Sequence, residues 1–309
     1  MWGGAKLIIH IGGPKSGSTS LQRGLFKGLE NHTYFGEYGD GSTSRQEYEA
    51  ITTFLSIDQH LLTQNQVLEF LSVCENRMKA SKGKKMIFSS ADILEFQRPE
   101  SIAKILLKLF GSDVSIVLVI RNQLEALASY YSGHGAWLRN VPSKHFRRYS
   151  SPRDWYEYQL RMNTGSQLYT FSYWSQLKPF INLFGREKIN VFCFEDLVQL
   201  NPKTWQDIAN LFGTTAEDAV RKFTMTHERR RISRLRFSIG KCQGILPTRN
   251  LRKHIQDLPV PVSLDKSSRG YKPRVSPYIL STLSDYYREQ NLLLAREFEL
   301  DLSRHSYPC

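Results

Sequence analysis

Residues Val114–Ile120 (VSIVLVI) constrain the fold of this chain more than any other segment. They are apolar apart from one serine, and Arg121 follows them directly, which is typical of a central parallel strand buried on both faces. Other largely apolar runs stand at 6–11, 85–89 and 188–194, and segments of helical periodicity separate them. Strands that alternate with helices pair in parallel through crossover helices. We therefore expect an α/β fold of the P-loop-like, three-layer type, with a central, mainly parallel sheet flanked by helices.

The helical segments and the chain length predict a single domain. Helical patterning covers 19–29, 66–82, 101–110, 155–184, 202–212 and 276–298. A chain of 309 residues fits one large α/β domain spanning 1–309. Within that domain, we expect residues 221–275 to form a basic, loop-rich insertion.

The chain is strongly basic. Its formal net charge is +13 at pH 7. Residues 221–253 alone hold eleven lysines and arginines against a single acid, Glu228. This balance favours an anionic partner, such as a nucleotide, an acidic glycan, a membrane surface or a nucleic acid.

The first apolar run is followed by a loop suited to binding an anion. Residues 12–19 (GGPKSGST) contain Gly12 and Gly17 at the spacing of the nucleotide-triphosphatase loop, G-x4-G-K-[ST]. Ser18 stands where that loop has its lysine, and Lys15 supplies the positive charge instead. Backbone N–H groups that converge at a helix N-terminus bind phosphate, and glycines let the chain come close.

Two motifs give the chain a resemblance to a known family. Residues 10–20 (HIGGPKSGSTS) resemble the 5'-phosphosulfate loop of the sulfotransferases that use 3'-phosphoadenosine-5'-phosphosulfate (PAPS), P-[KR]-[ST]-G-[ST]-[ST]. Arg121, at the end of its strand, is followed eight residues later by Ser129, which is similar to the family's 3'-phosphate motif. Residues 192–197 (FCFEDL) and 286–291 (YYREQN) look like two further family segments, although Phe194 replaces a tyrosine.

The resemblance implies a role for each matching residue. Lys15 would stabilise charge on the bridging oxygen, and Arg121 and Ser129 would hold the 3'-phosphate. The 5'-phosphosulfate would be cradled by Lys15, Ser16, Gly17, Ser18, Thr19 and Ser20. Arg269 and Gly270 look like the late basic loop that closes over the nucleotide. Asn122 and Glu125 are expected to form a capping pair at the start of the next helix.

The resemblance also implies a carboxylate base. Glycan and tyrosine sulfotransferases often place a glutamate after the first helix, which predicts Glu37. Asp92 is the alternative, because other members place a base after the next strand, in a region that here reads Ser89-Ser90-Ala91-Asp92. Ser90 would then lie near the sulfuryl group or the acceptor. We expect His10 and His134 to be structural, since a lone histidine more often is.

The implied reaction is in-line transfer of a sulfuryl group from PAPS to a hydroxyl, leaving adenosine-3',5'-bisphosphate (PAP). A carbohydrate acceptor, as a polysaccharide or glycolipid and possibly anionic, is expected near the basic insertion. A lipid, a small alcohol or a peptide tyrosine stays open. Two other classes compete: a P-loop kinase, for which Ser18 stands in place of the lysine, and a non-enzymatic polyanion binder. The second leaves the motifs unexplained, so we expect no nucleic-acid partner.

Cysteine usage and apolar patterning bear on metal content and compartment. The four cysteines form no CxxC pair, and no Cys/His cluster has zinc-ligand spacing, so we expect no metal. Reduced thiols favour a reducing compartment, with Cys193 in a buried strand. The sequence shows no signal-peptide pattern and no apolar run long enough to span a bilayer. We expect a cytoplasmic protein, or a soluble catalytic domain trimmed from a membrane-anchored protein.

Overall fold

Five parallel strands form the centre of the molecule. The structure is a computed structural model that describes residues 7–36, 43–56, 61, 63–80, 84–90, 92–95, 98–138, 148–162, 165–225, 234, 237–238 and 270–309. Its strands are β1 (Leu7–His10), β2 (His32–Phe35), β3 (Lys85–Ser89), β4 (Val114–Ile120) and β5 (Ile189–Cys193). Their spatial order is β2-β3-β1-β4-β5, and every neighbouring pair is parallel.

Helices connect and cover the strands. The first covers residues 18–28, and its stretch Leu21–Phe26 is wound as a π-helix; we call it α1. The others are α2 (Arg45–Ser56), α3 (Gln64–Ala80), α4 (Asp92–Glu95), α5 (Pro99–Phe110), α6 (Gln123–Gly133), α7 (Pro152–Arg161), α8 (Gln167–Thr170), α9 (Tyr173–Phe184), α10 (Phe194–Val198), α11 (Pro202–Phe212), α12 (Ala216–Thr224) and α13 (Pro277–Phe298).

Both faces of the sheet are buried, which confirms the three-layer expectation. Successive side chains of a strand point to opposite faces. On β4, Ile116 and Leu118 belong to a core formed with α3, α5, α9 and α13. Val117 and Val119 belong to a second core on the other face, formed with α1, α11 and α12. A strand that packs on both faces has to be apolar throughout, as the sequence of β4 is.

Two differences from the sequence expectations concern β2 with α2 and the segment 155–184. The edge strand β2 and helix α2 were not predicted, because β2 has only four residues and few apolar neighbours mark it. The long helical segment 155–184 is three helices, α7, α8 and α9. Gly165 has a φ of 71°, and Ser166 starts α8 by accepting a hydrogen bond from the N–H of Leu168, so the helix cannot run through.

The order of the strands creates a crevice at one edge. From β1 the chain builds β2 and β3 on one side, whereas β4 and β5 extend the sheet on the other side. Ligands of open α/β sheets bind beyond the carboxyl ends of the strands where this reversal occurs. The loop at 12–17 follows β1, and Arg121 follows β4, so both lie at this reversal point.

The structure also bears on membrane crossing. Within the part of the chain that it describes, no helix combines the length and the apolar character that a bilayer span requires.

Candidate functional site

The loop after β1 is held open by three left-handed residues. Gly12, Lys15 and Gly17 have φ angles of 59°, 64° and 80°. Ser18 donates from its hydroxyl to the carbonyl of Gly13 over 3.1 Å, which ties the loop to the start of α1. Gly17 is the N-cap of α1 and offers no side-chain acceptor to the first turn. The N–H groups of that turn thus present their partial positive charge to the loop, as an anion site requires.

Close contacts require glycine at two positions of this loop. A Cβ on Gly17 would stand 2.6 Å from Cε2 of Phe194, and one on Gly13 would stand 2.7 Å from the carbonyl oxygen of Val119. Contacts of that length are excluded by atomic size. The loop is therefore pressed against β4 and against the start of α10, and this contact gives it a fixed position relative to Arg121.

Lys15 joins the loop to both ends of α6. Its carbonyl oxygen accepts a hydrogen bond of 2.9 Å from Nη1 of Arg121, which precedes α6. Its ammonium nitrogen lies beside Gly133 at the other end of that helix, 3.4 Å from where a Cβ would stand. The backbone of Lys15 thus meets Arg121, while its ammonium group lies at the other end of α6.

Arg121 is held through two contacts: its backbone is hydrogen-bonded to Tyr173, and its guanidinium stacks on Phe194. The hydroxyl of Tyr173 accepts from the Arg121 N–H (3.2 Å) and donates to the Arg121 carbonyl (2.9 Å). The guanidinium carbon lies 5.0 Å from the centre of the Phe194 ring. Tyr173 is fully buried, and burial raises the pKa of its phenol. The tyrosine therefore stays protonated and can keep donating.

The turn between β4 and α6 is capped as predicted on one side only. Asn122 accepts from the N–H groups of Leu124 (3.0 Å) and Glu125 (3.3 Å). The carboxylate of Glu125 instead pairs with Lys272, and the N–H of Asn122 donates to Glu195 over 3.0 Å. The predicted reciprocal bond from Glu125 is therefore wrong, because β5 lies beside β4 and brings Glu195 within reach.

Residues 302–308, which we call the C-terminal segment, brace the same turn. The amide of Asn122 donates to the carbonyls of His305 (3.2 Å) and Ser306 (2.6 Å). Tyr307 donates from its hydroxyl to Glu195 over 2.9 Å. The C-terminal segment thus joins the residue after Arg121 to the residue after Phe194.

The other predicted nucleotide-binding residues lie around these two sites. Ser16 and Ser20 are buried, and Thr19 is half-buried in the first turn of α1. Ser129 is half-buried two turns into α6. Gly270 is exposed, and Lys272, two positions later, ties that stretch to α6 through Glu125. Arg269 lies outside the described residues.

The candidate bases follow two neighbouring strands, β2 and β3, in the sequence. Asp92 begins α4, just beyond the carboxyl end of β3. Glu37 lies outside the described residues, two positions after the end of β2. Ser90 is buried, and its N–H donates to the carbonyl of His10 over 3.2 Å. Both β2 and β3 lie on the same side of β1 in the sheet.

The two histidines occupy packed positions. His10 is fully buried, and its Nδ1 lies 2.8 Å from Oγ of Ser89. Burial lowers the pKa of His10 to about 3, so the ring is neutral at physiological pH. The ring of His134 stacks on Tyr130 with centres 5.0 Å apart.

The described part of the basic segment is helical and is paired with an acid. Arg221 and Lys222 lie on α12, and both bond to Asp218 of the same helix. The side chain of Lys222 packs against Gly28 at the far end of α1 from the loop. Arg234 is exposed, and the other basic residues of 221–253 lie outside the described residues.

The arrangement suits a ligand that carries two anionic groups. A glycine-rich helix N-terminus with Lys15 offers one anion site, and the planar guanidinium of Arg121 offers a second beside it. The contact of Gly17 with the Phe194 ring fixes the position of the first anion site relative to the second. Across the residues that the structure describes, no three His, Cys, Asp or Glu side chains are grouped to hold a metal ion.

Sequence reasoning missed the residues that support Arg121. Tyr173, Glu195 and the C-terminal segment are 52, 74 and more than 180 positions away from Arg121 in the chain, and no local pattern connects them. Phe194 was noticed, as a departure from a tyrosine, but no role was derived for it.

Comparisons with known proteins identify the family and the fold. The family model described as "Sulfotransferase domain" matches residues 6–236. A sulfotransferase structure from Alicyclobacillus acidocaldarius aligns with a TM-score of 0.53 and 12% identity, covering 97% of this chain and 98% of that chain, which shows a shared fold. The sulfotransferase domain of the Synechococcus PCC 7002 olefin synthase aligns at 13% identity over 96% and 95% of the chains, with a TM-score of 0.42. No curated protein matches the chain in sequence.

Proposed function

The chain belongs to the sulfotransferase family, and from this membership we propose that it transfers a sulfuryl group from PAPS to a hydroxyl of a carbohydrate acceptor, a polysaccharide or a glycolipid. One observation carries the choice of donor: the hydrogen bond from Arg121 to the carbonyl of Lys15. That bond sets a guanidinium beside a glycine-rich helix N-terminus. A nucleotide with anionic groups on both its 3' and 5' sides matches this pair of sites.

In the proposed complex, one set of residues binds the 3'-phosphate and another set binds the 5'-phosphosulfate. Arg121 and Ser129 hold the 3'-phosphate, the guanidinium binding two oxygens through its planar fork. The 5'-phosphosulfate lies in the loop, where Ser16, Gly17, Ser18, Thr19 and Ser20 supply backbone and hydroxyl donors. Arg269 and Gly270 close over the nucleotide from the late loop.

The residues of the loop also favour the transfer step. PAPS supplies the sulfuryl group, and PAP leaves. Lys15 and the N-terminus of α1 neutralise the negative charge that grows on the phosphate oxygen as its bond to sulfur breaks. Glu37, or Asp92 as the alternative, takes the proton from the acceptor hydroxyl as its oxygen bonds to sulfur on the opposite side. Positioning and fixed charge supply most of the rate enhancement, as in phosphoryl transfer.

The carbohydrate acceptor rests on charge and on the choice of base. A net charge of +13 favours an anionic glycan. The proposed carboxylate base is the kind of base that glycan sulfotransferases often use. Transfer from PAPS to a panel of polysaccharides, glycolipids, phenols and lipid alcohols tests this acceptor. With the best acceptor, Glu37→Gln should lower kcat by about 100-fold or more with PAP affinity unchanged. If Asp92→Asn shows that loss and Glu37→Gln does not, the base is Asp92.

Titration with PAP, AMP and ATP tests the donor. PAP should bind much more tightly than either of the others, and Arg121→Ala should remove most of that preference. Arg186→Ala is the matched control, because Arg186 also stacks on an aromatic ring, that of Phe298, at 4.0 Å. Binding of ATP as tight as that of PAP would overturn the proposal and support the kinase alternative.

A further inference from the structure

The side chain of Phe194 contacts both anion sites. Its ring edge abuts the Cα of Gly17, where a Cβ would stand 2.6 Å from Cε2. Its ring face lies under the guanidinium of Arg121, with 5.0 Å between the guanidinium carbon and the ring centre. We infer that Phe194 is a positioning residue that fixes Arg121 relative to the loop and thereby sets the selectivity for a nucleotide with a 3'-phosphate. This inference rests on the proposed function.

The chemistry of the pair favours this role. A guanidinium is weakly hydrated and stacks readily on an aromatic face, to which it is attracted as a cation. Its N–H groups lie in its plane, so a ring on one face leaves their directions unchanged. One of them donates to the carbonyl of Lys15. The stack therefore orients the fork of Arg121 and does not compete with a phosphate for its donors.

The position of the Phe194 ring is fixed by the hydrogen bonds of the next residue, Glu195. Phe194 begins α10, and the next residue, Glu195, accepts from the N–H of Asn122 (3.0 Å) and from the hydroxyl of Tyr307 (2.9 Å). Asn122 directly follows Arg121. The residues that follow Arg121 and Phe194 in the chain are thus hydrogen-bonded to each other, which fixes the ring relative to the guanidinium.

This arrangement explains why a phenylalanine suits the position. The ring meets Gly17 with its edge and Arg121 with its face, so the contact with Arg121 needs a flat aromatic ring and neither contact uses a hydroxyl. An aliphatic side chain of similar size would still fill the space against Gly17. It would offer no aromatic face to the guanidinium.

The difference between these two contacts gives a selective test. The affinities of PAP and AMP are measured by calorimetry for the wild type and for Phe194→Leu, with Phe194→Tyr as the matched control. AMP lacks the 3'-phosphate and reports on the loop alone. Phe194→Leu should lower the ratio of PAP affinity to AMP affinity about three- to tenfold. Phe194→Tyr keeps the face and should change that ratio less than about twofold.

A general structural defect would weaken PAP and AMP alike and leave their ratio unchanged. An unchanged ratio in Phe194→Leu therefore overturns the inference while the wild-type preference for PAP upholds the proposed function. If the wild type itself binds PAP and AMP equally, both fail. Should Phe194→Leu not fold, as judged by circular dichroism, Phe194→Met provides the same test, because its flexible side chain fills irregular space.

Discussion

The loop after β1 and the turn after β4 end at the same edge of the sheet, yet they are shaped in different ways. The loop owes its form to its own backbone, with left-handed angles at Gly12, Lys15 and Gly17. The turn at Arg121 owes its form to side chains from distant parts of the chain, among them Tyr173 and Tyr307. The backbone conformation of the first site is therefore encoded within about ten contiguous residues, whereas the second site exists only when the whole domain is folded.

The largest effect should come from breaking the backbone of the loop. Gly17→Ala adds a Cβ at a φ of 80° and 2.6 Å from the Phe194 ring. We expect PAP and AMP affinities to fall together by about 100-fold or more, equivalent to ~2.7 kcal/mol or more, because the loop must move. Calorimetry with both nucleotides measures this effect.

Gly111→Ala is the control for the strain alone. Gly111 has a φ of 71°, and among the described residues no atom beyond its chain neighbours lies within 4 Å of where a Cβ would stand. The variant should lower stability by about 1–3 kcal/mol and leave both affinities unchanged. Nucleotide affinity that falls equally in the two variants would show that the contact with Phe194 is unimportant.

A smaller effect, confined to the turn, should follow Tyr173→Phe. The variant removes the hydroxyl that pairs with both the N–H and the carbonyl of Arg121. Two polar backbone groups then lose a partner, which should lower the free energy of unfolding by about 1–3 kcal/mol. PAP affinity should fall several-fold more than AMP affinity, because AMP does not use Arg121.

Tyr287→Phe is the control that separates a loss of stability from a change in the position of Arg121. Tyr287 is also buried and donates to a carbonyl, that of Leu168, over 2.9 Å. It should cost stability without changing the ratio of PAP to AMP affinity. If Tyr173→Phe also leaves that ratio unchanged, the turn does not depend on its distant partners, and the contrast with the loop fails.

The smallest effect should be the pH dependence of stability that arises from His10, the last residue of β1. The pKa of His10 is lowered by burial to about 3, so the unfolded chain binds more protons below pH ~6.5. The contribution of the neutral ring is complete above that pH and is lost as pH falls. Each pH unit between ~6 and ~4 should cost up to about 1.4 kcal/mol through this group.

Urea unfolding of the wild type and of His10→Asn at several pH values measures this slope. Asn keeps a polar atom near the position of Nδ1 and cannot be protonated in this range. The slope should be shallower in His10→Asn by up to about 1.4 kcal/mol per pH unit. Equal slopes would show that His10 is not kept neutral by the fold.

The contrast between the sites also explains what the sequence predicts. For the strands β3 and β4 and the helix α11, the bounds that the sequence predicts are those of the structure, because apolar runs and end signals are local. The loop was found for the same reason. The supports of Arg121 were not found, because a tyrosine 52 positions away carries no mark of its partner. The partner of the Asn122 N–H was wrongly assigned to Glu125, which is close in sequence, whereas Glu195 is close in space.

The C-terminal segment has a consequence for the newly made chain. Its carbonyls meet the Asn122 side chain across 183 and 184 positions. Domains generally fold as units, and in this one the turn at Arg121 cannot complete its contacts until residues 302–308 have been synthesised. A nascent chain that lacks those residues would not yet offer full recognition of a doubly charged nucleotide.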